Sequence, residues 1–121
     1  MKTTSQIVEL ALDLLAPMEA VTARAMFGCY GIFKANKMFA LIADDVLYLK
    51  VDDKNRQRFE QEGLGPFVYS GGKKPATMSY YEVPAEAMED SALLCDWAKG
   101  AFDAANRAAA LKTKKKTKRT K

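Results

Sequence analysis

The stretch from Arg24 to Asp52, RAMFGCYGIFKANKMFALIADDVLYLKVD, constrains this chain more than any other. It holds most of the apolar and aromatic side chains, and they alternate with the period of strands rather than helices. Arg24 to Phe33 reads as one strand, and Gly28 and Gly31 within it mark a bend or a close backbone approach. Lys34 to Lys37 is a polar break in which Asn36 tolerates the left-handed conformation of a tight hairpin. Met38 to Ala43 follows, then a turn at Asp44-Asp45, then Val46 to Val51. Three short-linked strands of this kind form an antiparallel meander.

The flanks read as cover for that sheet. Ile7, Leu10, Ala11, Leu14, Leu15 and Met18 recur at helical spacing from about Thr4 to Ala16, with Thr3, Thr4 or Ser5 as cap and Pro17 as the stop. A second helix is expected from Asp52 or Asp53 through Glu62, with Gly63 closing it and Phe59 as its sole apolar anchor. Phe67 to Tyr69 and Thr77 to Val83 read as two more strands around the loop 70–75, and in TMSYYEV the residues Met78, Tyr80 and Glu82 share a face. Pro84 opens a short turn, Ser91 caps the last helix, and Leu94, Trp97, Ala98, Ala101, Phe102 and Ala105 give that helix an apolar stripe to about Leu111. The expected fold is α+β, two layers, α-β3-α-β2-α, with a five-stranded antiparallel sheet covered by the N- and C-terminal helices.

Charge divides the chain unevenly. Of 19 basic side chains, seven lie within residues 112–121, KTKKKTKRTK, where no acidic residue occurs; twelve remain elsewhere against 15 acidic ones. The expected domain, 1–111, is therefore slightly anionic, and the expected disordered tail, 112–121, is strongly cationic. Lysine-rich arms bind polyphosphate by releasing counterions, which makes Lys112, Lys114, Lys115, Lys116, Lys118, Arg119 and Lys121 candidates for non-specific DNA or RNA binding. Glu9 and Asp13 interrupt the N-terminal apolar pattern, so a signal peptide is not expected and the chain reads as cytoplasmic, without a membrane span.

Catalytic signatures are weak. Ser70-x-x-Lys73 has the letters of a serine–lysine nucleophile pair, but Gly71-Gly72 disfavours the helical turn that such a pair needs. Gly71-Gly72-Lys73-Lys74 lacks the remainder of a phosphate-binding loop, and Gly28-x-x-Gly31 has the letters of a nucleic-acid clamp inside an apolar strand. Asp44-Asp45, Asp52-Asp53 and Glu86/Glu89/Asp90 fall at turns and helix starts, where carboxylates cap backbone amides. The chain has no histidine, and Cys29 and Cys95 are far apart, so a metal site is not expected, no cofactor is implied and both thiols read as reduced and buried. The best enzyme constellation would be Ser70, Lys73, Tyr80 and Glu82 converging in a cleft.

The central stretch, with FEQEGLGPFVYSGGKKPATMSYYEVPAEAMED after it, resembles the N-terminal domain of TfoX/Sxy, the bacterial regulator of competence for DNA uptake, over roughly residues 5–108. The positions carrying the motif are Arg24, Met26, Phe27, Gly28, Tyr30 and Gly31; Cys29 stands where the family's FGGYG usually has glycine. The resemblance implies the α-β3-α-β2-α fold and a non-enzymatic regulator that acts through a protein partner, in known members a cyclic-AMP-responsive activator. It also implies a second, C-terminal helical domain in the full regulator, for which this chain has the lysine-rich segment instead. The competing expectation is a dimerising, chaperone-like protein-binding module whose strand edge or apolar patch meets a second copy, with no nucleic-acid role.

Overall fold

The computed structural model describes residues 5–26, 28–69 and 76–119. Helix α1, Ser5–Leu14, is followed by a 3-10 turn at Ala16–Met18 that contains Pro17. Strands β1 (Val21–Met26), β2 (Cys29–Lys34), β3 (Lys37–Ala43) and β4 (Val46–Lys50) come next, then helix α2 (Arg56–Gln61). Strands β5 (Pro66–Tyr69) and β6 (Ala76–Glu82), a 3-10 turn at Ala85–Glu89 and helix α3 (Ser91–Arg119) complete the order.

The fold class is the expected α+β, but the described sheet has six strands, in the order β1-β2-β3-β4-β6-β5, where five were expected. The extra strand comes from Arg24 to Phe33, which is a hairpin and not one bent strand. Gly28 sits at φ +80° between Met26 and Cys29, which pair directly across the turn. Two other turns are two-residue left-handed hairpins: Ala35-Asn36 at φ 52° and 62°, and Asp44-Asp45 at φ 51° and 61°. Both positive dihedrals match the right-handed twist of the flanking strands. A third left-handed pair, Glu19-Ala20, leads into β1. Lys34 Nζ clamps it by donating to the carbonyls of Met18 at 2.6 Å and Glu19 at 2.9 Å.

The main core lies between one sheet face and the helices. Ile32, Phe39, Ile42, Leu47 and Leu49 from the strands are essentially solvent-free, as are Leu15 and, on α3, Leu94, Ala98 and Ala101. On α1 the buried positions are Val8 and Ala11, while Leu10, expected on the apolar stripe, is exposed. Phe59 carries α2 into this core against Trp97, centroids 4.9 Å apart, and Tyr81 at 5.8 Å. Arg58 lies over the Trp97 ring at 4.0 Å and pairs with Asp96 at 2.6 Å, which closes the same corner.

Asp90, rather than the expected Ser91, caps α3: its Oδ1 accepts from the Leu93 amide at 3.1 Å. Ser91 Oγ instead donates to the Leu14 carbonyl at 2.6 Å, which ties the two covering helices together. Further along α3, Arg107 donates twice to Asp52, at 2.6 and 2.9 Å. The α3 backbone continues past the expected end at Leu111 to Arg119, because apolar spacing cannot register a helix once its apolar residues stop. The side chains of 112–121 lie outside the described residues, and the expected lysine-rich arm lies there with them.

Candidate functional site

Strand alternation gives each core strand two faces, and only one of them is covered by helices. The opposite face gathers a second, smaller cluster of Cys29, Leu41, Ala43, Phe67 and Tyr80, with Met38 and Tyr48 packed against it; no helix residue joins it among the described residues. A bulge shapes this face. β2 pairs Ile32 with Ala40 and then Phe33 with Met38, so Phe39 is an extra residue on β3. Phe39 meets Phe102 of α3 edge-on at 6.0 Å, and Met38 and Leu41 are left together on the uncovered side.

A hollow of about 350 Å³ opens there. Met26 and Cys29 line it from the first hairpin, and Met38 and Leu41 from β3. Its far wall is Phe67 of β5 with Met78 and Tyr80 of β6. Side chains from strands near both edges of the sheet thus reach one hollow, which requires the sheet to be concave on this side. The lining is soft and apolar: three thioethers, a thiol, two aromatic rings and one leucine.

Gly31 lets the hollow exist. A Cβ built there would lie 2.8 Å from Met26 Sδ, 2.9 Å from Phe33 Cε1 and 3.0 Å from Met38 Sδ. The two sulfurs therefore converge over a backbone position that has no side chain of its own.

Polar groups sit at the margin. Burial pushes the Tyr80 phenol up to about 12, so it stays protonated and can donate at neutral pH; its hydroxyl donates to the Met38 carbonyl at a long 3.4 Å. Burial also pushes the Cys29 thiol up, with a smaller contribution from the nearby Asp44 carboxylate, which makes it a poor nucleophile. Arg24 lies 4.6 Å over the Phe33 ring, and Lys50 Nζ lies 5.1 Å from the Tyr80 ring centroid and 3.1 Å from Ser79 Oγ. A second hollow, also of about 350 Å³, adjoins the first. It shares Met38 and Tyr80 as a common wall and is lined by Asn36, Lys37, Lys50 and the small residues Ala105 and Ala108 of α3.

The motif positions do not form one cluster. Met26 lines the apolar hollow, Gly31 underlies it and Arg24 lies on the same face. Gly28 makes the hairpin turn, while Tyr30 packs against the helix-side core. Phe27 lies outside the described residues, as do Ser70 and Lys73 of the enzyme constellation. Tyr80 and Glu82 stand two apart on β6, as alternation placed them. Cys29 and Cys95 are both buried free thiols, in the uncovered cluster and the helix-side core respectively. No helix among the described residues is long and apolar enough to cross a membrane, and no cluster of three or more Cys, Asp or Glu among them is placed to hold a metal ion.

The TfoX N-terminal domain family matches residues 13–105, which take in the end of α1, the whole described sheet and α3 as far as Ala105. The chain belongs to that family. TfoX N-terminal domains are a regulatory family rather than an enzyme family. A relative from Aliivibrio fischeri (strain ATCC 700601 / ES114), "DNA transformation protein TfoX1", is 30% identical over 103 residues, covering 74% of this chain and 49% of the relative. This TfoX-type chain thus spans about half the length of the curated relative that it matches.

Proposed function

We propose that this chain is a non-enzymatic regulatory domain in the control of DNA transformation, working by binding a protein partner. The observation that supports binding over turnover is the character of the uncovered face. Its hollow is lined by methionine, aromatic and leucine side chains around a thiol whose protonated form burial favours, a lining suited to holding an apolar surface. The relative's role in transformation supports the process. The test is the frequency of natural transformation in the chain's own host. Deletion of the gene is expected to change it at least several-fold, and a frequency unmoved by deletion contradicts the reading.

The basic segment 112–121 adds affinity for nucleic acid without reading sequence, because its seven cations can displace condensed counterions. Titration of duplex DNA at several salt concentrations tests this part separately. Removal of 112–121 is expected to lower the log–log salt slope by up to about 6. A slope and affinity that do not change would dispose of the nucleic-acid role and leave the regulatory reading intact.

A further inference from the structure

The two adjoining hollows differ in chemistry in a way that selects a ligand. One is a pocket of thioethers and aromatic carbon, with Tyr80 as the only side chain carrying a hydroxyl. Its neighbour, across the wall of Met38 and Tyr80, presents two ammonium groups, Lys37 and Lys50, beside the carboxamide of Asn36. A molecule that fills both has an apolar body and an anionic end.

We propose that the hollow on the uncovered sheet face binds the chain of a medium-chain alkyl carboxylate, among Met26, Met38, Met78 and Phe67, and that its carboxylate reaches past Met38 and Tyr80 to Lys37 and Lys50 in the neighbouring hollow beside α3. Three observations converge on that occupant. The volume of about 350 Å³ is at the small end of ligand pockets, which suits roughly eight to ten carbons and excludes a long lipid. Methionine side chains are unbranched and polarisable, so they mould to a flexible alkyl chain more readily than branched aliphatics do. Charge complementarity fixes the direction: the cations line the second hollow, while Asp44 and Asp45 lie at the other ends of β3 and β4, where a carboxylate would be repelled. Gly31 is the structural requirement, since a side chain there would press on two of the sulfurs that form the chain-binding surface.

The site lies on the same uncovered face that supports the partner reading above, and its test, direct ligand binding to the isolated chain, is separable from the transformation and DNA experiments. Calorimetric titration of the full chain with decanoate, kept below its micelle-forming concentration, is expected to give saturable one-to-one binding with a Kd below about 1 mM. Decanol and decylamine, which have the same chain with a neutral or cationic end, are expected to bind more weakly than decanoate, decylamine weakest. Lys37 and Lys50 are half-buried, and Lys37→Gln and Lys50→Gln are each expected to weaken decanoate about three- to tenfold and decanol by clearly less. Equal binding of the three molecules, or lysine variants indistinguishable from the parent, overturns the carboxylate end. Absence of saturable decanoate binding overturns the site itself, whatever the transformation and DNA experiments give.

Discussion

On the helix-covered side of the sheet, β2, β3 and β4 present Ile32, Ile42, Leu47 and Leu49, branched aliphatics with almost no exposure. From neighbouring positions the same strands present Cys29, Met38, Leu41 and Tyr48 to a face that no described helix crosses. Both faces are apolar, yet they are built for different ends. Branched aliphatic side chains have few rotamers and lock helices in one register, whereas thioethers fill irregular space and yield to whatever is placed against them. The contrast separates a face that specifies the fold from one that is available to bind, and five substitutions test it.

The largest expected effect is on the covered face. Leu47→Ala removes a side chain that is 1% exposed and is expected to destabilise the domain by about 2–5 kcal/mol in urea unfolding. Met38→Ala, on the uncovered face, is expected to cost clearly less, because the site is already open to water. Equal losses would erase the distinction between the faces.

The second effect depends on pH. Burial raises the Tyr80 phenol from its ordinary 10 to about 12, so the folded state holds that proton more tightly than the unfolded chain does. The associated stability is fully present below pH 10 and is lost as pH rises towards 12, by about 2–3 kcal/mol. Tyr80→Phe is expected to remove that part of the alkaline loss, which stability curves between pH 9 and pH 12 would show.

Gly31→Ala comes third. The new methyl group presses on Met26 Sδ, the Phe33 ring and Met38 Sδ, and because the thioethers can swing aside while the ring yields less easily the expected stability cost is about 1–2 kcal/mol. Its effect on the hollow is expected to be the greater one, with weaker decanoate binding in a fold that remains intact.

The smallest effect sits at the rim of the covered side. Arg107 holds the Asp52 carboxyl below its ordinary 3.8, chiefly through their hydrogen bonds, so the pair's contribution is present above that value and is lost as pH falls through the folded pKa. Both side chains are about a third exposed, so Arg107→Ala is expected to cost only about 0.5–1 kcal/mol at pH 7, with the difference from the parent vanishing in strong acid.

The α3 side of the covered face was legible in the sequence because helical spacing reports burial along a long stripe, whereas on the shorter α1 the same spacing put the exposed Leu10 on the buried face. The stripe from Leu94 to Ala105 and the two turns at Asn36 and Asp44-Asp45 stand where the pattern puts them. The first hairpin was not legible. Arg24 to Phe33 is apolar on either side of Gly28, and one glycine among aromatic residues marks a bulge as readily as a turn, so two strands read as one. The hollow was hidden for a different reason. Alternation correctly put Met78 and Tyr80 on one face, but the curl that brings them to Met26, and the bulge that turns Met38 towards them, arise from pairing between strands distant in sequence. Sequence did offer one signal: of six methionines in the chain, three end on this face.

Those methionines also provide the most direct measurement. With methionine methyl groups labelled for carbon–proton correlation NMR, Met26, Met38 and Met78 report on the uncovered face, while Met18 and Met88, packed against the helix-side core, serve as internal controls. Decanoate binding at the uncovered face is expected to shift the first three methyl signals along one saturating curve and to leave the other two in place. Shifts centred on Met18 and Met88, or no shift at the three, would contradict it.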